Sequence, residues 1–405
     1  MRSEQQYIDL YDEAGALIRQ KSCDVMNAVR DSSFAVFKRQ GFPSKKVERY
    51  RYTDVDAAFS PNYGISLNTV EVKPSKYIFT FKNSPIDLTP YYNNVADGTD
   101  AITALNTMLV HEGLLIYVRK NECPKEPIQV DNYLRGNSAT MMNRRVLIIL
   151  EQGAAATVII NDHATDKQRF LTTQVIEVIC KDNSQLDMYE AEETTPLCSR
   201  FSNVYIKEGR DCRVSHNVFT IYNGQTRNLC DVFLDGENSE VLLSGCAIAS
   251  GSQRIDNNTL INHKVPNCTS NELYKYVVDD KSVGAFAGKI LVEHDAQKTT
   301  SQETNANLCA SKEARMFTQP MLEIYADDVK CAHGATVGVM DEAALFYMRQ
   351  RGVPAEEART LLKNAFMGQV IELIKLRPLR DRLYVKVEKR FRGELDKCDD
   401  CRLCK

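Results

Sequence analysis

One short segment of the sequence combines a cysteine and a histidine at a spacing that can bind a metal. The segment is DDVKCAHGATVG, Asp327 to Gly338, and it contains Cys331 and His333. Residues two apart on a β-strand share a face, so the thiolate and the imidazole would point the same way. Such a pair is half of a site for a thiophilic metal such as iron or zinc, because two ligands do not complete a coordination sphere. The competing interpretation is a buried strand in which a small cysteine packs inward beside a hydrogen-bonded histidine.

Three more cysteines lie in LDKCDDCRLCK, near the end of the sequence. Cys398, Cys401 and Cys404 have the spacing C-x2-C-x2-C, the first part of the run that binds a cluster in bacterial ferredoxins. The fourth cysteine of that run and the proline after it are missing. Three thiolates could bind three corners of a [4Fe–4S] cluster or a zinc ion, and the segment could equally be a polar tail without a metal.

Signatures of several enzyme classes are absent from the sequence. GAFAGKI, Gly284 to Ile290, has three residues between its glycines where a phosphate-binding loop has four, and no Ser or Thr follows Lys289. We therefore predict that this chain binds no ATP. There is also no G-x-S-x-G elbow and no H-E-x-x-H helix. The other histidines are isolated and are interpreted as structural or surface residues: His111, His163, His216, His263 and His294.

Composition excludes several classes of protein. The 405 residues carry 51 Lys and Arg against 54 Asp and Glu, a net charge of −3, and 43% are hydrophobic. These values predict a globular chain of two or three domains, not a disordered protein or one that coats nucleic acid. Apolar runs such as Val146 to Leu150 are far shorter than the roughly 18 residues of a membrane-spanning helix, and no signal peptide is visible. Because a chain this long does not need disulfides, its 13 cysteines indicate a reduced, cytoplasmic protein.

The hydrophobic pattern divides the chain into three regions. Residues 1 to about 95 are predicted to be mostly helical, because apolar residues recur at helical spacing from Tyr7 to Phe37, before the break at Gly41-Phe42-Pro43. Residues 96 to 340 contain short β-branched and aromatic runs between Asn, Asp, Gly and Ser clusters, which indicates a long all-β domain. A sandwich, a barrel and a β-helix all fit this pattern. Several asparagines could stack in a β-helix or serve in ordinary turns: Asn257, Asn258, Asn262, Asn267, Asn271, Asn305 and Asn307.

The last region, residues 341 to 405, is predicted to be helical. Asp341 is a suitable N-cap for EAALFYMRQR, Gly352 ends that helix, and Pro354 begins a second helix that Pro378 ends. Eight Lys and Arg crowd into residues 375 to 392 against two acidic residues. These charges could form a solvated helix face or a contact surface for an acidic protein partner.

The stretch from Gly288 to Phe366 resembles the SufB/SufD family of iron–sulfur cluster assembly proteins. The resemblance is carried by GKILVEHDAQKTTSQETNANL, PMLEIYADDVKCAHGATVG and DEAALFYMRQRGVPAEEARTLL. Two weaker matches extend it over most of the chain. They are ERYRYTDV, Glu48 to Val55, and HEGLLIYVRKNECPKEPIQV, His111 to Val130.

Two motifs make the chain more similar to the SufD branch than to the SufB branch. SufB proteins carry C-D-S-L-L around a sulfur-accepting cysteine, whereas the matching stretch here is NANLC, residues 305–309. SufB proteins also carry H-E-A-T, where this chain has HGAT, and the Cys-x-His pair typical of SufD is present. Cys309 departs from the leucine-rich SufD pattern and is interpreted as a core residue.

The resemblance implies a right-handed parallel β-helix flanked by helical regions, in a non-catalytic scaffold subunit of the Suf complex. Cys331 and His333 would bind iron or a transient iron–sulfur cluster together with ligands from SufB, whose β-helix would pair with that of this chain. The region 341–405 would dock the ATPase SufC. A flavin on the complex and a homodimer of the isolated chain are compatible with the family, and neither nucleic acid nor a membrane is an expected partner. The residues assigned to SufC docking are Phe346, Tyr347, Arg351, Leu361 and Phe366.

Two other functions stay open at this point. Many β-helix proteins are carbohydrate-active enzymes that use Asp, Arg or Lys clusters on a groove, although the expected cytoplasmic location argues against this class. The C-x2-C-x2-C tail, residues 396 to 405, could also make the chain an independent iron–sulfur or metal carrier, and this role could coexist with that of a scaffold.

Overall fold

The computed structural model describes residues 3–66, 71–72, 74–96, 98–164 and 168–395. The helices are α1 (Glu4–Lys21), α2 (Asp24–Gln40), α3 (Val55–Phe59), α4 (Ala101–Leu109), α5 (Glu342–Gln350), α6 (Ala355–Ile371) and α7 (Arg377–Phe391). The first strands are short: β1 (Gly64–Ile65), β2 (Glu71–Val72) and β3 (Ile78–Thr80). The remaining strands are β4 (Leu114–Val118), β5 (Ile128–Leu134), β6 (Thr140–Leu150), β7 (Ala155–Ala164), β8 (Phe170–Cys180), β9 (Gln185–Glu193), β10 (Cys198–Glu208), β11 (Arg213–Tyr222), β12 (Gln225–Leu234), β13 (Glu240–Ala249), β14 (Arg254–His263), β15 (Thr269–Val278), β16 (Val283–Val292), β17 (Thr300–Cys309), β18 (Arg315–Ile324) and β19 (Lys330–Val339).

Strands β4 to β19 wind into a parallel β-helix of about eight coils. The even-numbered strands form one sheet, here called sheet A, in the order β4 to β18, and the odd-numbered strands from β5 to β19 form sheet B. Each strand pairs in parallel with the strand two positions later, so every coil contributes one strand to each sheet. The prediction of a mainly β chain is confirmed, and of the three architectures that fit the strand pattern the β-helix is the one observed.

The asparagines of this region have two different roles. Asn267 lies at the corner between β14 and β15 with a φ of 63°, in the left-handed region that asparagine tolerates better than most residues. Asn257 lies inside β14 instead, where its Oδ1 accepts a 2.8 Å hydrogen bond from Nδ2 of Asn228, its register neighbour on the preceding coil. Left-handed residues occupy the corners from sheet A to sheet B: Asn121, Gly153, Asn183, Asp211, Asn238, Asn267 and Lys298.

Buried ionic contacts run through part of the β-helix interior. Arg200 donates a hydrogen bond from Nε to Asp162 and another from Nη2 to Glu190, and each donor–acceptor distance is 2.6 Å. Glu190 also contacts Nε2 of His216 at 2.8 Å, and Nδ1 of that ring lies 3.4 Å from Sγ of Cys230. All five side chains are buried. Because a buried charge is unfavourable without a partner, these contacts are a strong constraint on how the coils stack.

The N-terminal helices pack on the outer face of sheet A, in an apolar cluster that includes residues of β6, β8 and β10. Arg30 of α2 is fully buried, and its guanidinium donates to the carbonyls of Thr107, Met108 and Val110 at the end of α4. The predicted N-terminal helical segment is divided into α1 and α2, with a break at Ser22-Cys23.

The C-terminal helices α6 and α7 pack on the outer face of sheet B. Asp341 caps α5 as predicted, because its carboxylate accepts hydrogen bonds from the N–H groups of Ala343 and Ala344. The prediction for Pro378 was wrong. Helix α6 already ends at Ile371, and Pro378 lies in the first turn of α7, where its missing N–H has no intrahelical partner to lose.

Several basic residues between 375 and 392 contact the β-helix of the same chain. Lys375 pairs with Asp187 at 2.7 Å, and Lys386 pairs with Glu193. Arg390 donates to the carbonyl of Ile221 at 2.9 Å and also contacts side chains at the corner after β13. Three of the eight basic residues therefore hold α7 and the segment before it on sheet B, a role within the chain that neither interpretation of the sequence predicted.

Replacing Arg200 by Met should destabilise the fold by about 3–5 kcal/mol, because Asp162 and Glu190 would stay buried with fewer partners. Chemical denaturation measures this loss. Arg213→Met is the matched control, since Arg213 pairs with Glu240 on the exposed surface and its loss should change the free energy of unfolding by less than about 0.5 kcal/mol. Equal effects of the two substitutions would contradict the structural role of the buried contacts.

The buried position of His263 predicts that the fold loses stability as the pH falls. Burial lowers its pKa to about 4, below the usual value of about 6.5, so the folded chain resists protonation that the unfolded chain accepts. The stabilising contribution is present above pH 6.5 and is lost as the pH falls toward 4. Between pH 7 and pH 5 the wild type should lose about 2 kcal/mol more stability than His263→Gln. His294→Gln, at an exposed position, serves as the control and should behave as the wild type does.

Candidate functional site

The last coil of the β-helix has an open end. In the described part of the chain, β18 pairs only with β16 and β19 only with β17, so the far edge of each strand presents unpaired backbone groups. Strand β19 is exposed along almost its whole length, and Val337 and Val339 have exposed fractions of 51% and 76%. A long strand edge with exposed apolar side chains is a surface on which another chain can pack or pair.

Cys331 and His333 both lie on β19, in the extended conformation that the sequence predicted. Register pairing puts Cys331 beside Ser301 and His333 beside Glu303 of β17. Cys331 is half-buried and packs against an apolar cluster that includes Ile290, whereas His333 is exposed. Because alternate residues of a strand share a face, the thiol and the imidazole lie on the face of β19 that lines the interior.

Among the described residues, Cys331 and His333 find no third ligand that would complete a metal site. Burial raises the pKa of the Cys331 thiol, and a hydrogen bond that its sulfur accepts from the backbone of Ser301 opposes that rise. Across the residues that the structure describes, no three His, Cys, Asp or Glu side chains are grouped so that they could hold a metal ion. Cys331 and His333 therefore remain two candidate ligands, and their role in binding a metal stays a prediction.

Two carboxyl groups lie inside the β-helix beneath His333, and the sequence reasoning missed them. Glu303 is the register neighbour of His333, and Glu272 is the neighbour of Glu303 one coil further in. Burial raises the pKa of each carboxyl above its usual range, and the charge of Glu272 adds to the rise for Glu303. A signal was present in TSQETNANLC, where Ser301, Glu303 and Asn305 occupy the alternate positions that turn inward in β17.

Four of the five predicted SufC-docking residues are exposed, on α5, α6 and the turn between them, and the fifth is half-buried. Phe346 and Tyr347 of α5 have exposed fractions of 62% and 60%. Arg351 holds its guanidinium 5.1 Å from the ring centre of Tyr347 and donates to its hydroxyl at 3.0 Å. Leu361 of α6 is exposed as well. Exposed aromatic residues beside an arginine are typical of protein interfaces. Docking of SufC at these residues stays a prediction.

Phe366, the fifth docking residue, contacts the β-helix of its own chain. The ammonium of Lys275 lies 4.2 Å from the ring centre of Phe366 and donates to the Phe366 carbonyl at 3.1 Å. This contact attaches α6 to β15, so at least part of the side chain is used within the chain.

The other predicted positions have separate locations. Cys398, Cys401 and Cys404 lie outside the described residues, and metal binding by them stays a prediction. Cys309 is half-buried and packs against the apolar interior, as expected of a core residue. The segment GAFAGKI belongs to β16 and is extended rather than a loop. Among the described helices, none combines the length and the apolar character needed to cross a membrane.

Comparison with protein families identifies matches along most of the chain. The model described as "SUF system FeS cluster assembly, SufBD core domain" matches residues 133–366. A second model, described as "SufBD protein N-terminal region", matches residues 1–83 and 78–130. The core model alone covers more than half of the 405 residues.

Individual relatives agree with these matches. The chain is 27% identical to the iron–sulfur cluster assembly protein SufD of Escherichia coli over 88% of this chain and 90% of the relative. It is 26% identical to SufD of Bacillus subtilis, over 72% and 67% of the two chains. A SufBD family protein of Synechocystis is 29% identical, over 73% and 67%. The chain therefore belongs to the SufBD family of iron–sulfur cluster assembly proteins.

Proposed function

We propose that this chain is a non-catalytic scaffold subunit of a cytoplasmic Suf assembly complex. A SufB-type subunit would bind the open end of the β-helix, and the ATPase SufC would bind the C-terminal helices. The observation that carries the proposal is the last coil, where a free strand edge and the Cys331–His333 pair occur together. The names of the Escherichia coli and Bacillus subtilis relatives, both iron–sulfur cluster assembly proteins, support the assignment to this process.

A second β-helix docked on the open end would satisfy two needs of this surface. It would cover the edges of β18 and β19 and bury Val337 and Val339, which is favourable by about 25 cal/mol for each Å² of apolar surface removed from water. It would also bring further ligands to Cys331 and His333 and complete the coordination sphere between the subunits. In the absence of SufB, a second copy of this chain could occupy the same end.

The cargo of the proposed site is iron or a nascent iron–sulfur cluster. A cysteine thiolate suits soft metals and iron–sulfur clusters, and an imidazole also suits iron. Cys331 must lose its proton to bind, so we expect its pKa to fall when the partner and the metal are present. A flavin on the complex stays a prediction to which no residue is assigned.

The exposed surface of α5 is the proposed contact with SufC. Phe346 and Tyr347 supply exposed aromatic area, and Arg351 supplies a charged group already stacked on Tyr347. ATP would bind SufC and not this chain. Nucleotide-driven dimerisation of SufC would move this chain relative to SufB and thereby open or assemble the shared site.

A carbohydrate-active enzyme is the less favoured alternative. Glycosidases use two carboxyl groups about 5 to 10 Å apart on either side of the substrate. A surface groove of about 830 Å³ lies between the loop before β5 and the start of α7, and Glu126 is the one carboxylate among the described residues that line it. The groove has basic residues instead, Lys76, Lys125 and Arg382, so it lacks the acidic pair of that chemistry.

The double variant Cys331→Ala/His333→Ala should lower the iron and sulfide content of the complex about tenfold or more, because both proposed ligands are removed. The complex is assembled by anaerobic co-expression with the cognate SufB and SufC and analysed for both elements. The matched control is Cys309→Ala/His294→Ala, which removes a cysteine and a histidine from other places. A chain ended at Leu395 separates the contribution of the cysteine tail. Unchanged iron in an intact complex of the first variant would refute the proposed site.

Phe346→Asp should weaken SufC binding by about thirtyfold, since it puts a charge into an aromatic contact, while binding of SufB should stay unchanged. Isothermal titration of the full chain with SufC measures the affinity. Leu17→Asp on α1 is a control with an exposed apolar residue outside the C-terminal helices, 46% against 62%. The SufC surface lies elsewhere if both variants bind as the wild type does.

A further inference from the structure

The carboxyl of Glu303 lies beneath His333, where it can act on the proposed site without being a metal ligand itself. We propose that Glu303 is a positioning residue. When His333 binds the iron cargo through one ring nitrogen, a carboxyl oxygen of Glu303 accepts a hydrogen bond from the N–H of the other. The inference rests on the proposed function, because it takes His333 to be a ligand.

Register pairing brings the two side chains within reach. β17 and β19 pair without a shift from Thr300 to Cys309, and Glu303 lies directly beside His333 on the face that lines the interior. Neighbouring strands are about 4.8 Å apart, a separation that a glutamate side chain can span. Ser301 is the equivalent neighbour of Cys331, but its hydroxyl already lies 2.7 Å from the hydroxyl of Ser270. Glu303 is therefore the neighbour whose hydrogen-bonding capacity is still unused.

The carboxyl of Glu303 lies inside the β-helix, where the described residues offer it no partner. Its exposed fraction is 0%, and both of its oxygens are buried with no hydrogen bond to a described residue. A buried polar group without a hydrogen bond lowers the stability of the fold, so the presence of this carboxyl needs an explanation. Gly288 of β16 lies against the same carboxyl, and a Cβ on Gly288 would overlap it. The absence of a side chain at Gly288 leaves the room that the carboxyl occupies.

The chemistry of a histidine ligand can explain why a carboxyl is buried beside His333. A metal-bound histidine commonly donates its second ring N–H to a carboxylate, which fixes the tautomer and the ring orientation and makes the ligand more basic. His333 is exposed on the last strand, so packing within the chain does not hold its ring. A carboxylate one strand further in can do so while the partner subunit approaches from the other side.

The test measures Co²⁺ binding by the complex of this chain with SufB and SufC, under anaerobic conditions, from the visible absorption of the bound ion. Glu303→Leu should weaken Co²⁺ binding by about 10- to 100-fold. Gly288→Ala, which displaces the carboxyl without removing it, should act in the same direction. Glu272→Leu is the matched control, because Glu272 is equally enclosed but one coil further from His333. This variant removes a charge that raises the pKa of Glu303, so it should bind Co²⁺ at least as tightly as the wild type does.

A double-mutant cycle separates positioning from packing. In a His333→Cys background a thiolate can still bind the metal but has no ring N–H to donate, so Glu303→Leu should then have no effect on Co²⁺ affinity. An equal loss in both backgrounds, or equal losses in the Glu303 and Glu272 variants, would overturn the proposal. If only His333→Ala loses Co²⁺ and Glu303→Leu keeps it, Glu303 is not a positioning residue although the proposed function stands. Wild-type binding by His333→Ala would overturn both.

Discussion

The in-register stacking of parallel strands is the constraint on which the rest of this structure depends. Each strand satisfies its backbone hydrogen bonds through the strands of the neighbouring coils, and stacking also places side chains of the same orientation in columns. Within the described ranges, the last coil has a neighbouring coil on one side only, so half of its backbone N–H and C=O groups cannot be hydrogen-bonded in this way. Among the strands that the structure describes, the rule that makes the β-helix regular therefore leaves β18 and β19 with unpaired edges, and Cys331 and His333 lie at that end.

Columns of stacked residues also determine how polar groups can be buried. Around Arg200, charges of opposite sign come from several strands, and Asp162 and Glu190 both find a partner. Near the open end the balance is different, because Glu272 and Glu303 are stacked carboxyls without a nearby cation among their contacts. Asp162 and Glu190 are thus paired with Arg200, whereas the described residues offer no partner to the carboxyls of Glu272 and Glu303, next to the surface where a second subunit is proposed to bind. This difference suits a site that is completed only in a complex.

The C-terminal helices show how an excess of charge can serve the fold itself. Lys386 and Arg390 connect α7 to sheet B, and Lys363 of α6 pairs with Asp279 at 2.9 Å. These contacts hold α6 and α7 on the β-helix by electrostatic as well as apolar contacts. The aromatic side chains of α5 are left outside this attachment, and they are the ones available to a partner.

The sequence by itself determined the mainly β character, the cap at Asp341 and the strand that carries Cys331 and His333, because each depends on local periodicity or on neighbouring residues. Only the tertiary structure decided the features that depend on contacts between residues far apart in the sequence, such as the pairing of the strands. Ser199 pairs with Gln225 but Val283 with Arg315, so the coils differ in length, and no fixed period in the sequence could separate a β-helix from a barrel or a sandwich. The β-helix was instead implied by the resemblance of the sequence to the SufB/SufD family. The position of Glu303 beneath His333 and the contacts of the basic residues with sheet B arise only when segments far apart in the sequence meet.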